Sequence, residues 1–279
     1  MAGLNSWSRY LLYVHVVIAA GTVVLGLQTS LWLQLPLQIQ LLIFLFFATL
    51  LSYNVHFWLA SRKSCSSGQL DWFARHSRAT LLLNLICLLV VSFYWYQLRA
   101  HTFPFLVMLF LNAAYTAPLL FHKEIVLPVV FTFMKSYFIG FTWALVTVLL
   151  PVLATEQPLE AAILPVFLQR FLLVTIATLI FDWRDKARDA NWGVRTPANL
   201  FTEPAFNRFF LLHLLAYCGS VLLLLPLPGG WYNLLQLLPA VAMWYFYRRA
   251  KEEAGDVFYL LWVDGLLVLS PLLSFGLLL

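Results

Sequence analysis

The stretch FDWRDKARDANWGVRT, residues 181–196, is a burst of charge in a chain that is otherwise oil. Asp182, Asp185 and Asp189 fall at i, i+3 and i+7, so if the apolar helix before them continues, three carboxylates share one face. Unpaired, they would repel. Arg184 and Arg188 lie on the neighbouring face and offer partial neutralisation, as on many solvated helix ends. The same spacing suits Mg2+, a hard ion bound through a few carboxylates plus substrate phosphate oxygens rather than in an all-protein cage.

The composition around that stretch sets the class. Hydrophobic residues make up 62% of the 279 and charged residues only 10%, with a mean hydropathy of +0.85. An ordinary soluble domain is about 25% charged. Such a chain cannot clothe itself in water-compatible surface, and an all-α integral membrane protein is expected, in contact with a lipid bilayer. Cys65, Cys87 and Cys218 have no CxxC or CxxH spacing and read as small hydrophobes rather than as a thiolate metal site or a disulfide framework. Residues 1–10, MAGLNSWSRY, run into an apolar segment without a small-residue cleavage site, so the first span is expected to be uncleaved.

Apolar runs near the ~20 residues that cross a hydrocarbon core occupy 10–27, 36–60, 80–98, 103–121, 128–150, 161–181, 208–227, 231–247 and 257–277. They predict one domain over 1–279, a bundle of about nine transmembrane helices, with cytoplasmic loops at about 61–79 and 182–207. The eighth run is short enough to be tilted. With the N-terminus cytoplasmic, all of the 17 basic residues except Arg99, Lys135 and Arg170 fall on inner segments. The positive-inside rule therefore places the N-terminus in the cytoplasm and the C-terminus outside, in the plasma (inner) membrane if the source is bacterial. The net charge of +5 follows from this topology and needs no nucleic acid.

Lys135, Arg170 and Asp264 lie inside predicted spans, where a central charge costs about 2.5–3.5 kcal/mol even on the lenient insertion scale. Each is expected to face protein or a wet cavity. Lys135, about two turns into its span, is placed to reach a substrate phosphate or to snorkel out. Arg170 and Asp264 lie nearer mid-span, and pairing with each other for packing competes with a catalytic role. His15, His56 and His213 are isolated and lack the HxxxH or HxxHH clustering of a histidine box, so they read as hydrogen-bonded buried residues. The aromatic residues, 17% of the chain, offer a wall for an isoprenoid but equally the belts and packing of any membrane bundle.

The D-x-x-D-x-x-x-D run with its following G-x-x-T resembles the second motif of the UbiA superfamily of intramembrane prenyltransferases, with Asp182, Asp185, Asp189, Gly193 and Thr196 matching in order and spacing. The predicted architecture is similar to that family over most of the chain. The resemblance implies an Mg2+-dependent enzyme whose two aspartate motifs hold metal and the diphosphate of a prenyl donor, for transfer to an aromatic or other lipophilic acceptor. It implies a first motif, N-D-x-x-D-x-x-x-D, at the end of the second span. Here Asn54 stands at the Asn position, and Val55, Trp58 and Arg62 replace the aspartates. Tyr115 and Lys123 resemble the family's tyrosine and downstream basic residue, at a longer spacing.

Two readings follow. In one, the chain is a divergent prenyltransferase with Asp182, Asp185 and Asp189 as catalytic metal ligands, and Asn54, Arg62, Tyr115, Lys123 and Lys135 on the substrate side. Arg62 and Lys135 then supply charge in place of the missing carboxylates and their metal. In the other, the fold persists as a non-catalytic isoprenoid or lipid binder, or as a partner of an enzyme.

Overall fold

The structure, a computed structural model, describes residues 6–62, 68–120, 133–158, 160–191, 193–252 and 255–275. Among these there are helices and connecting turns but no strands. In chain order the helices are α1 (Ser6–Tyr13), α2 (Val16–Trp32), α3 (Ile39–Ala60), α4 (Gly68–Arg75), α5 (Ser77–Gln97), α6 (Thr102–Leu120) and α7 (Lys135–Ala154). They continue with α8 (Ile163–Asn191), α9 (Pro197–Leu200), α10 (Glu203–Leu222), α11 (Leu237–Ala250) and α12 (Phe258–Phe275). Among the described residues α3, α5, α7, α8, α10 and α12 are long and apolar enough to cross a membrane, and α2 is a shorter apolar helix. Exposed Leu81, Leu82, Leu85, Ile86, Leu88 and Leu89 on α5 form an apolar strip that water would not tolerate. The chain is an all-α, multi-pass membrane protein.

The helix α8 is the centre. Its apolar window is 61% buried against 22% for α5, because α7, α10, α11 and α12 all pack on it. It joins α7 where Gly140 removes a side chain: a Cβ there would lie 2.1 Å from Thr175 Oγ1 and 2.8 Å from the Phe171 carbonyl. The pair runs antiparallel, with Ser136 near Asp182 and Thr147 near Arg170. Similar contacts order the rest. The helix α3 runs antiparallel to α2 (Asn54 with Val14, Thr49 with Thr22), and α12 runs antiparallel to α11 (Ser270 with Gln236, Phe258 with Phe246).

Polar side chains lock the half of the bundle remote from the aspartates. Arg170 is fully buried and donates to Thr147 Oγ1 (2.9 Å) and Gln28 Oε1 (2.7 Å). Gln28 passes the connection to α12 by donating to Ser274 Oγ (2.8 Å), and Ser270 Oγ donates to Gln236 Oε1 (2.6 Å). Pro151 cannot donate to the Thr147 carbonyl four residues back. A π-helical turn spans Leu145–Leu149, and Thr29 Oγ1 donates to that carbonyl instead at 2.7 Å. Asp264 is buried where α12 breaks between its π-helical start and Leu266. Among the described residues it forms no ion pair with Arg170, so the pairing considered from sequence is not what satisfies either group.

One expected boundary moves. Residues 182–191, assigned from sequence to a loop, are the last turns of α8. No Gly or Pro interrupts 166–192, and Ala, Arg and Lys favour helix, so nothing stops it earlier. It stops at Gly193, whose φ of 73° is the left-handed conformation glycine adopts at least cost. There Gly193 N donates to the Ala190 carbonyl (3.1 Å) and Val194 N to the Asp189 carbonyl (2.8 Å), the bond pair of a Schellman stop. Likewise the 61–79 loop contains α4, held by Gln69 Nε2 at 3.0 Å from His15 Nε2.

Candidate functional site

The extension of α8 puts the aspartates on a buried helix face rather than in solvent. Asp182, Asp185 and Asp189 are each at most 9% exposed. They do not act as one row. At 100° per residue Asp189 returns to within about 20° of Asp182, whereas Asp185 is displaced by about 60° toward the side of Arg188. The contacts follow that division. Lys135 Nζ, at the start of α7, lies 3.1 Å from Asp182 Oδ1 and 2.9 Å from Asp189 Oδ2. Ser136 Oγ donates to Asp182 Oδ2. Asp185 instead accepts from Arg184 Nε (2.8 Å) and Arg188 Nη2 (2.6 Å). Arg184 also stacks over Phe181 and Tyr259, at 4.9 and 4.8 Å from the ring centres.

The cluster is thus balanced within the chain: three carboxylates meet one ammonium and two guanidinium groups. Lys135 remains 22% exposed, so it links the buried carboxylates to the surface at this end of the bundle. The same end carries Arg62, Arg75, Arg78, Arg248, Arg249 and Lys251, while Arg99, Glu156 and Glu160 lie at the other.

The fit to a divalent ion can be judged from the donors. Among the described residues no three His, Cys, Asp or Glu side chains converge on a metal position. Two carboxylates do converge, Asp182 and Asp189, on the point taken by Lys135 Nζ. That suits Mg2+ held by one or two carboxylates and completed by phosphate oxygens and water. Asp185 faces its arginines.

The other residues singled out from sequence are dispersed. Asn54 is buried and donates to the Val14 (2.9 Å) and Leu50 (2.8 Å) carbonyls, tying α3 to the break between α1 and α2. Arg62 stacks on Trp58, 3.9 Å from the ring centre. Among the described residues neither is joined to the aspartates by a hydrogen bond or ion pair. Tyr115 belongs to α6 and Lys123 lies outside the described residues. His56, on the face of α3 toward α6, lies 3.4 Å from Thr116 Oγ1 and within electrostatic range of Lys135 and Arg188. His213 Nδ1 is 2.8 Å from the Phe209 carbonyl, which assigns the proton to Nδ1 and leaves Nε2 to accept from Tyr137 at 2.7 Å.

Sequence reasoning missed Ser136, whose role depends on which residue of α7 faces Asp182. No local pattern announces it. The split of the aspartates was available from the helical angles and the i, i+3 spacing of Asp185 and Arg188. A surface hollow of about 410 Å³ among Trp231, Tyr232, Leu235 and Val241 lies at the opposite end, on exposed apolar side chains suited to lipid contact. Comparison with protein-family models, curated proteins and solved structures returns no match.

Proposed function

We propose that the chain is a divergent UbiA-like prenyltransferase of about nine spans that binds a prenyl diphosphate at the basic end of the bundle and transfers its prenyl group to an aromatic or other lipophilic acceptor. The observation that carries this reading is the convergence of Asp182 and Asp189 on Lys135 at that end, from positions 47 and 54 residues further along the sequence. Nine crossings are supported by the alternating directions of neighbouring helices. They are supported too by the length of the eighth segment: the 3-10 turn Gly230–Gln236 and α11 together rise about 35 Å, enough for the core. The concentration of basic residues at the site's end supports a cytoplasmic N-terminus and an outside C-terminus.

In this reading Asp182 and Asp189 would hold one Mg2+, which supplies charge neutralisation of the departing diphosphate. Lys135 donates to diphosphate oxygens, and Arg188 contributes field from beside Asp185. Ser136 holds the Asp182 carboxylate in orientation. The apolar faces of α7 and α8 sheath the prenyl chain and exclude water from the allylic carbon. Lys123, Tyr115 and Arg62 are assigned to the headgroup side on the resemblance alone.

A second reading, a non-catalytic isoprenoid or lipid binder, is favoured by the engagement of Asn54 and Arg62 elsewhere, since no carboxylate from α3 faces Asp182. One experiment separates the two. Labelled prenyl diphosphates of graded length are incubated with the protein in liposomes, with aromatic acceptors and Mg2+. Diphosphate release above an Asp182→Ala control supports the transferase. Saturable binding without release across donors and acceptors supports the binder, and absence of both rejects the site.

A further inference from the structure

The geometry points to Lys135 as an internal stand-in for the divalent cation, so that metal and anionic headgroup enter together and neither is held firmly alone. This rests on the proposed diphosphate site and deepens it. The Lys135 ammonium sits 3.1 and 2.9 Å from the two carboxylate oxygens that converge, which is where an ion bridging Asp182 and Asp189 would have to lie. A divalent ion arriving by itself must displace an ammonium from two nearly buried carboxylates, and that ammonium would remain beside it as a like charge. A diphosphate changes the balance. Its oxygens give the displaced ammonium a new partner and complete the coordination of the ion.

Lys135 is built for such a move. It is 22% exposed, starts α7 and has a flexible four-carbon stem, so the ammonium can swing outward without moving the helix. Arg184 and Arg188 differ: they face Asp185, and Arg184 is pinned against two aromatic rings. The three carboxylates therefore divide into an exchangeable pair and a fixed one.

The test is direct titration of Mn2+, a probe with the oxygen preference of Mg2+, into the full-length protein in detergent, with free Mn2+ read by electron paramagnetic resonance. Lys135→Met is expected to tighten Mn2+ alone by at least about 10-fold, the scale of an ordinary coupling between two ligands. Arg188→Met also removes one positive charge near the aspartates but empties no cation position, and it is expected to change the affinity by less than about 3-fold, as for a partly exposed charge. Lys135→Arg keeps a cation between the carboxylates and stays weak. Adding Asp182→Asn to Lys135→Met removes the gain.

Equal gains in Lys135→Met and Arg188→Met would reduce the effect to long-range field and overturn the inference, as would unchanged or weaker Mn2+ binding in Lys135→Met. Unfolding midpoints of each variant, with Lys135→Gln as a second neutral replacement, separate loss of fold from loss of binding. If the predicted metal gain appears but no prenyl diphosphate binds to any variant, the stand-in role holds and the diphosphate reading fails.

Discussion

The division of the aspartates predicts that Asp185→Asn and Asp182→Asn damage the protein in different ways. Asp185 is the shared acceptor of two guanidinium groups, through contacts of 2.8, 3.1 and 2.6 Å, and its side chain is 11% exposed. Breaking a fully buried pair from one side costs about 3–5 kcal/mol because a charge is left without a partner. Arg184 and Arg188 are 18% and 31% exposed, so water recovers part of that, and about 2–3 kcal/mol is expected. Asp182→Asn leaves Lys135 on Asp189, leaves an oxygen for Ser136, and involves a lysine 22% exposed, so about 1 kcal/mol is expected. Binding should run the other way: Asp182→Asn loses Mn2+ together with diphosphate, while folded Asp185→Asn keeps a measurable share. Unfolding in mixed micelles against the mole fraction of SDS, followed by tryptophan fluorescence, measures the first ordering, and Mn2+ titration the second. An Asp185→Asn protein with wild-type stability and no metal binding would make Asp185 a ligand and refute the division.

In the remote polar layer, Gln28→Leu should destabilise more than Arg170→Met, by about 1 kcal/mol or more, because losing Gln28 strands a buried cation whereas losing Arg170 removes the cation itself; the same micelle assay gives the ranking. Gly193→Ala forces a side chain into φ 73° and should cost about 1 kcal/mol, seen as faster hydrogen exchange in the last turn of α8 around Asp189. Gly140→Ala brings a Cβ to 2.1 Å from Thr175 Oγ1, for about 1–3 kcal/mol of overpacking, and Thr175→Ala should recover only part, since the Phe171 carbonyl at 2.8 Å is fixed backbone. In a variant with Cys65, Cys87 and Cys218 replaced by Ser, Arg195→Cys should react with an impermeant thiol reagent only from the cytoplasmic side and Tyr232→Cys only from outside; the reverse would invert the topology.

How much of this was legible in the sequence depends on the kind of signal. Hydropathy gave the helices because burial of apolar length is a property of a continuous run, and the runs at 80–98 and 161–181 reappear as α5 and most of α8. The end of α8 was misplaced because charge suggested a loop, whereas backbone chemistry sets a stop and the stop is Gly193. From sequence, Lys135 was expected only to reach a substrate phosphate or to snorkel out, and its meeting with the aspartates was not part of that reading. Its attachment to Asp182 and Asp189 but not to Asp185 required helix angles together with the packing of α7 on α8. Partners of Arg170 were out of reach: Gln28 and Thr147 lie on other helices and carry no charge to advertise the contact.

Both charged layers sit on α8, and they are built differently. Arg170 and Asp182 are 12 residues apart on that helix, about 18 Å along its axis. The Arg170 layer is fully buried, and amides and hydroxyls of α2, α7, α12 and the 3-10 turn before α11 surround it. Such a layer fixes the register of helices that lipid would otherwise let slide, since apolar contact alone gives them no preferred depth. The aspartate layer is held by charges instead, one of them on a flexible stem that reaches solvent. On the proposed reading a charged headgroup would exchange with that stem at the basic end, while the closed layer gives the bundle a fixed floor. On the same proposed reading, a ligand with a charged head and an apolar tail would meet the ion cluster first and the locked layer last.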